Sequence, residues 1–496
     1  SGRAQVGQVR AKGNRGRALR GGGISGLIGA KQDRCKAGQA GSMAISARKR
    51  IWGWYFFDWA SQPYNTLLLT FIFGPYFAEV ARGYFAGQGM DADAASAASQ
   101  AYWTGAQTIT GLFIAVFSPI FGAIADGGGN RMTWIWFFSV LYVAGSFTLW
   151  WLVPGAPSLF WPIVCFSIGF IGMEFATNFT NALMPDLARR DEMGKVSGTG
   201  FAFGYAGGVL ALAVMLLFFA ESATTGKTFA GLAPALGLDP TSREGTRAVG
   251  PFTAIWFVVF MVPFVLWVRE TPKAVRIGVG AALARLWAGI KGLRNRTSLA
   301  AYLASSMFYR DALNSIYGLG GAYASNVLGW SVVQSGVFGI TAAVTAGVFS
   351  WLGGRIDARI GPKPVIAVCI LILAGVCVTL VGLSRDSLFG MPLAEGSALP
   401  NQIFYVCGAL IGAAGGVLQA ASRTLMVYHT APGREAEEFG LYGLSGKATT
   451  FLAPALITAV TLATGSPRLG IAPLVPLLLI GLVLLIWVRP YGERGR

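Results

Sequence analysis

Five charged side chains stand well inside long apolar runs of this chain, away from the run ends: Asp58, Glu174, Arg310, Asp311 and Lys447. At the centre of a membrane-crossing helix such a charge costs roughly 2.5–3.5 kcal/mol on insertion scales, so it must face protein or water. Three acids against two bases nearly cancel, which suits mutual pairing or a solute carrying both signs. Polar residues recur beside them at helical spacing. Asp58, Ser61, Gln62 and Asn65 make one stripe, and Glu174, Asn178, Asn181 and Pro185 a second. Arg310, Asn314 and Tyr317 make a third, and Gln419, Ser422, Arg423 and Met426 a fourth. Such stripes line a cavity or a polar seam between helices. The chemistry they offer is binding. Arg310 presents a guanidinium fork to a carboxylate. Glu174, with Asp58 or Asp311, forms an anionic seat for an ammonium group, and Asn65, Asn178, Asn181, Asn314 and Gln419 supply hydrogen bonds.

Each residue also has a plainer reading. Asp58 lies about two turns from the end of its run, where a gate or interfacial role competes with binding. Arg310 and Asp311 are adjacent and point about 100° apart, so one can bind solute while the other locks a neighbouring helix. Lys447 is read first as half of a structural salt bridge with Asp311 or Glu174, and second as a solute contact. Arg423 sits near a mouth, where gating, lipid contact and binding compete. His429 reads as an interfacial histidine. Cys35, Cys165, Cys369, Cys377 and Cys407 are odd in number and contain no C-x-x-C, so neither a disulfide framework nor a metal site is expected. Gly440…Gly446-Lys447-Ala448 fails as a phosphate loop, because the first Gly is one place early and Ala448 replaces Ser/Thr. The longest outer loop, 221–250, holds no cluster of catalytic residues, so no enzyme is expected. No cofactor is expected either, although one buried acid could carry a coupling proton, or another ion could couple.

The elements holding these residues follow from composition. Of 496 residues, 54% are hydrophobic and only 12% charged, and mean hydropathy is +0.56. Soluble domains are about 25% charged, so the chain reads as a polytopic membrane protein. Twelve apolar runs approach the roughly 20 residues a crossing needs: 51–80, 101–125, 132–153, 158–184, 196–220, 251–269, 299–326, 331–353, 364–384, 401–428, 437–464 and 470–488. All are expected to be helical, since a lone segment in lipid must satisfy its own backbone. The net charge of +17 is not a nucleic-acid stripe: residues 1–42 alone hold nine Lys/Arg and one Asp. With the N-terminus inside, 31 Lys/Arg fall on the inner side and six on the outer, which places both termini in the cytoplasm. Residues 1–42 read as a disordered basic tail or a mis-annotated start. Two six-helix bundles, 43–269 and 299–489, flank a basic amphipathic linker, 270–298, and residues 490–496 form an inner tail.

The halves resemble each other. Gly122-Ala-Ile-Ala-Asp126-Gly-Gly-Gly129-Asn-Arg131 recurs as Gly354-Arg-Ile-Asp357-Ala-Arg-Ile-Gly361-Pro-Lys363, and Gly194-Lys-Val-Ser-Gly-Thr-Gly200 as Gly440-Leu-Tyr-Gly-Leu-Ser-Gly446. Parallel six-helix repeats are a transporter signature. The first of these segments resembles the G-x-L-A-D-x-x-G-R-R loop of the major facilitator superfamily, with Gly127 and Asn130 in place of two bases. The resemblance implies gating roles for Gly122, Asp126 and Arg131. In the second copy Asp357 comes one place early. Ser422-Arg423-Thr-Leu-Met, Glu438-Phe-Gly440-Leu-Tyr442-Gly-Leu-Ser445-Gly446-Lys447-Ala448 and Tyr309-Arg310-Asp311-Ala-Leu-Asn314 are similar to the fungal vacuolar amino-acid effluxers and their bacterial relatives. That resemblance covers roughly residues 48–489 and implies an all-α, twelve-helix fold in two repeats.

The expected function is secondary transport of a small polar solute, an amino acid or related zwitterion, by alternating access, with efflux favoured. The expected partners are that solute and the bilayer of a bacterial inner membrane, with the chain acting as a monomer and without nucleic acid. The alternatives are another small solute, a lipid scramblase and a ligand-sensing membrane protein.

Overall fold

The computed structural model describes residues 45–270, 277–328, 330, 332–394 and 396–493. The expectations for residues 1–42 and the last three residues, and the linker bases Lys273 and Arg276, lie outside these. Among the described residues the chain is helical apart from loops and one small hairpin, Ser387–Leu388 against Met391–Pro392. The first six crossings are α1 (Ala47–Pro63) continuing through a π-helical stretch (Tyr64–Phe71) into α2 (Phe73–Ala86), then α3 (Ala92–Gly128), α4 (Arg131–Phe147), α5 (Phe160–Asn181), α6 (Met193–Val214) and α7 (Val249–Trp267). The linker holds α8 (Val279–Gly292). The last six are α9 (Thr297–Leu328), α10 (Val332–Ile360), α11 (Pro362–Gly382), α12 (Leu399–His429), the pair α13 (Glu435–Ala448) and α14 (Leu452–Thr464), and α15 (Leu474–Leu484). Among the described residues, ten crossings are long and apolar enough on their own to span a bilayer. The first crossing is broken by its π-helical stretch, and the seventh holds Arg310 and Asp311.

Local chemistry sets the ends and breaks. α3 begins at Ala92 rather than near residue 101 because Asp91 caps it, accepting from the Ala94 N–H at 2.8 Å. It ends where Gly129 turns left-handed at φ +68°, and Asn130 then caps α4 by accepting from Thr133 N–H at 3.1 Å. The first crossing loses its α-helical ladder between Pro63 and Pro75, neither of which has an N–H to donate. The eleventh crossing breaks at residues 449–451, just before Pro454. There the Thr450 hydroxyl donates to Lys447 O at 3.0 Å, and Asp311 accepts from Ala453 N–H at 3.0 Å.

Small residues decide which helices touch. Gly200, Gly204 and Gly208 turn one stripe of α6 against α1, where added methyl groups would meet Trp54, Asp58, Gln62 and Thr66. Gly412 and Gly416 do the same for α12 against α10. At the Lys/Arg-rich (basic) end, the first six crossings meet the last six along α3–α13 and α6–α10. Away from that end α14 shows most of its surface. α8 lies against α3, burying Ala282 and Leu286, and Ile277 N–H donates to Gly127 O at 3.0 Å.

Candidate solute site and gate

The charges inside the crossings form two clusters at different depths. In the first, Lys447 on α13 reaches across to Glu174 on α5, Nζ to Oε1 at 2.9 Å. Its ammonium also lies 5.0 Å from the centre of the Phe170 ring. Arg310 on α9 lies 4.2 Å over the Tyr442 ring, and its Nη1 donates to Tyr442 O at 2.9 Å. A methyl group at Gly446 would run into that guanidinium and displace it. Asn178, one turn from Glu174, donates to Ser118 Oγ at 2.8 Å. Gln419 on α12 reaches Tyr205 of α6 at 3.3 Å and Tyr317 of α9 at 3.5 Å. Asn314 and Tyr317 are exposed on α9. Glu174–Lys447 and Gln419–Tyr205 thus join helices of the two halves, while Asn178 and Arg310 contact neighbours in their own half. Asn65 lies in the π-helical stretch with its side chain partly buried.

The second cluster is a tie. Arg423 on α12 pairs with Asp58 of α1 at 3.1 Å and donates to Asn181 of α5 at 3.2 Å. It also donates to the Ser197 hydroxyl and carbonyl of α6 at 3.0 and 2.8 Å. Trp54 and Phe201 flank the guanidinium at 4.5 and 4.3 Å. One residue thus binds three helices of the first half. Asp58 and Asn181 are committed here, deeper toward the basic end than the Glu174–Lys447 pair. Asp311 is committed as well. It is 1% exposed and accepts from the N–H that opens α14, so it holds the break in the eleventh crossing while Arg310 faces elsewhere.

Beyond the tie lie the two seams of the basic end. In the α3–α13 seam, Arg131 is 1% exposed and donates to Asp126 at 2.9 Å and to Ala182 O at 2.9 Å. It also pairs closely with Glu435, with Asp186 at 3.7 Å and Glu270 at 3.8 Å farther out. Asp126 in turn accepts from Glu437 N–H at 2.8 Å, in the first turn of α13. That position suits an anion, because the first-turn N–H groups have no partner within their helix. Gly122 lets the two backbones close, since a methyl there would run into Ala436 and Glu437. Glu437 also pairs with Arg434, and with Arg285 of α8 at 3.6 Å. Glu438 pairs with Arg296, which meets Glu493 at 2.9 Å. His429 is buried nearby, between Ser298 at 2.7 Å and Leu425 O at 2.8 Å.

The α6–α10 seam is built otherwise. Gly198 and Gly354 meet backbone to backbone, and Gly194 lies against Asp357 and Ala358. Asp357 is 2% exposed, and among the described residues neither carboxylate oxygen has a hydrogen-bond partner.

Asp126 and Asp357 at these seams were named from the sequence, but the acids at the start of α13 were missed. Glu435, Glu437 and Glu438 do carry a signal, because acids crowd the first turn of a helix, and here they follow Gly433. Glu270, Ser197 and Tyr205 gave none.

The model of a family described as "Vacuole effluxer Atg22 like" matches residues 46–496. The "Uncharacterized MFS-type transporter YxiO" of Bacillus subtilis is 26% identical over 447 residues, which cover 88% of this chain and 94% of that one. "Autophagy-related protein 22-2" of Emericella nidulans is 28% identical over 328 residues, 61% of this chain and 52% of that one. The chain thus spans about half the length of that fungal relative. Among solved structures, the proton:xylose symporter XylE superposes with a TM-score of 0.66 at 12% identity, covering 89% of this chain and 94% of that one. The human organic anion transporter MFSD10 gives 0.63 at 15%, covering 89% and 99%. At these identities the likeness establishes the twelve-helix fold of major facilitator transporters and nothing finer.

Proposed function

Because the chain belongs to the Atg22-like vacuole effluxer family of multi-pass major facilitator transporters, we infer that it carries a small zwitterion, an amino acid or close relative, by alternating access. The reading rests above all on one observation, the Glu174–Lys447 pair, which joins the two halves through partly exposed side chains. A zwitterion can insert between these partners and keep every charge matched, its ammonium on Glu174 and its carboxylate on Lys447. Arg310, just beyond Tyr442, adds the planar fork that a carboxylate prefers. A solute of one sign would strand one member of the pair, which is costly in a site shielded from water. Phe170 and Tyr442 wall the site, and Asn178, Asn314 and Gln419 offer orienting hydrogen bonds.

In this reading the Arg423 tie and the two seams form the gate on the cytoplasmic side of a bacterial inner membrane, and the chain works as a monomer in the efflux direction. The test is counterflow of a labelled amino-acid mixture into liposomes holding the purified chain, which requires no knowledge of the coupling ion. Uptake above protein-free liposomes is expected, lost in Arg310→Ala and strongly reduced in Glu174→Gln. Equal counterflow in Arg310→Ala would remove the carboxylate role, and none from folded protein would remove the amino-acid reading.

A further inference from the structure

The two seams place an acid at matching points of the internal repeat and treat it in opposite ways. Asp126 meets Arg131 and the first turn of α13. Asp357 abuts the first turn of α6 at Gly194, yet among the described residues no N–H of that turn and no cation reaches its carboxylate, and the Thr424 hydroxyl is the donor that lies beside it.

The charged and titratable groups around Asp357 are all engaged elsewhere or point to solvent. On its own helix, Arg355 lies over the Trp351 ring at 3.4 Å, and Arg359 is exposed. On α6, Lys195 is exposed. In the turn before α6, Asp191 pairs with Arg189 at 3.2 Å, Glu192 is exposed, and Arg190 lies 6.0 Å over the Tyr428 ring. On α12, Arg423 holds Asp58, and the Tyr428 hydroxyl donates to Arg190 O at 2.7 Å. The Thr424 hydroxyl lies beside the Asp357 carboxyl and donates to Ala420 O at 3.2 Å. An ionised carboxylate in this position would be stripped of water with no N–H and no cation in exchange, and one neighbouring hydroxyl does not offset that loss, so a buried acid here takes up a proton.

We propose that Asp357 is a proton-binding site: it holds a proton while the α6–α10 seam is shut and releases it to the basic-side water when the seam parts. No other group gains or loses charge in the step. The closed form carries a neutral carboxyl, and the open form carries a hydrated carboxylate plus one proton in solution. The glycine contacts at Gly194, Gly198 and Gly354 give the closed form its dryness. Linkage then sets the response. A one-proton difference changes the open-to-closed ratio by up to about tenfold per pH unit, with opening favoured as pH rises. The idea relies on the alternating-access reading only in that the seam opens, and it is independent of what the solute is.

The test needs no solute. Spin labels at Lys195 and Arg359, exposed on either side of the seam, report its separation in nanodiscs holding the full chain with its own cysteines replaced. Distances are read from pH 5 to 9 in the parent and in two backgrounds that weaken the other seam, Arg131→Ala and Glu435→Gln, so that both states are populated. The closed fraction is expected to fall as pH rises, by up to about tenfold in ratio per unit. Asp357→Asn and Asp357→Leu, neutral at every pH, are expected to keep a constant closed fraction. A ratio that does not move with pH in the parent or either background would overturn the proposal, as would a response that survives in both neutral variants. If amino-acid counterflow fails while this response is present, the solute reading falls and the proton site stands.

Discussion

The α3–α13 seam closes on charge, and the α6–α10 seam closes on backbone. In the first, one arginine organises a buried set of acids, and a helix terminus adds an N–H. In the second, glycines bring two helices together and leave a carboxylate dry. Both lie at the same end of the molecule and come from matching segments of the repeat. The difference teaches that a duplicated scaffold keeps its geometry while its two copies can divide the work, in the proposed reading one holding a gate shut and the other sensing a condition for opening. The largest effect should therefore come from Arg131→Ala, which leaves Asp126 and Glu435 buried without their cation. Removing one partner from a buried pair costs about 3–5 kcal/mol. We expect a lower thermal midpoint in detergent and a wider separation of α3 and α13 at the basic end. A closed seam in that variant would mean that the glycine seam alone holds the gate.

The reciprocal change tests the other copy. Gly354→Ala places a methyl against Gly194 O and the Gly198 backbone, which cannot retreat as a flexible side chain can. Overpacking of this kind costs about 1–3 kcal/mol. The α6–α10 distance should grow while the Arg131 cluster persists, giving a gate held on one side only. Gly446→Ala acts higher in the molecule and perturbs stability less, since the clash is with the end of the Arg310 side chain. Its expected signature is loss of counterflow with little change in thermal midpoint. Retained counterflow would show that Arg310 does not need its place over Tyr442.

Much of this was legible in the sequence. The crossings, the repeat and the charged residues inside apolar runs follow from hydropathy and from the cost of burying charge. Partners were less legible. Lys447 could be anticipated in a salt bridge, but its choice of Glu174 over Asp311 depends on the break at residues 449–451, which turns an N–H toward Asp311. Pro454 hinted at that break, yet isolated prolines are common in crossings and do not fix a location. Asp58 and Asn181 share helical stripes with residues of the proposed solute site, but Arg423 takes them into the tie. A stripe gives a face and not a depth. The contrast between Asp126 and Asp357 was not readable either, because both follow a glycine and precede a base. It depends on which helix terminus arrives opposite, which is a property of the packed bundle.

The smallest predicted effect marks where pH should do nothing. Asp239, in the loop between the fifth and sixth crossings, accepts from the Thr241 N–H and hydroxyl at 2.9 and 2.8 Å and from the Ser242 hydroxyl at 2.7 Å. Those bonds lower its carboxyl from the ordinary 3.8 to about 2. A folded value below the unfolded one gives stabilisation that is complete above the unfolded value and is lost as pH falls toward 2. Between pH 5 and 9 this turn should therefore hold constant. Amide exchange across residues 239–247, corrected for its intrinsic pH dependence, should show no trend over that range and should rise a few-fold in Asp239→Ala. The seam of Asp357 should change over the same range. A loop that loosened in step with the seam would point to global softening of the bundle with pH, and the seam's response could then no longer be assigned to one buried carboxyl.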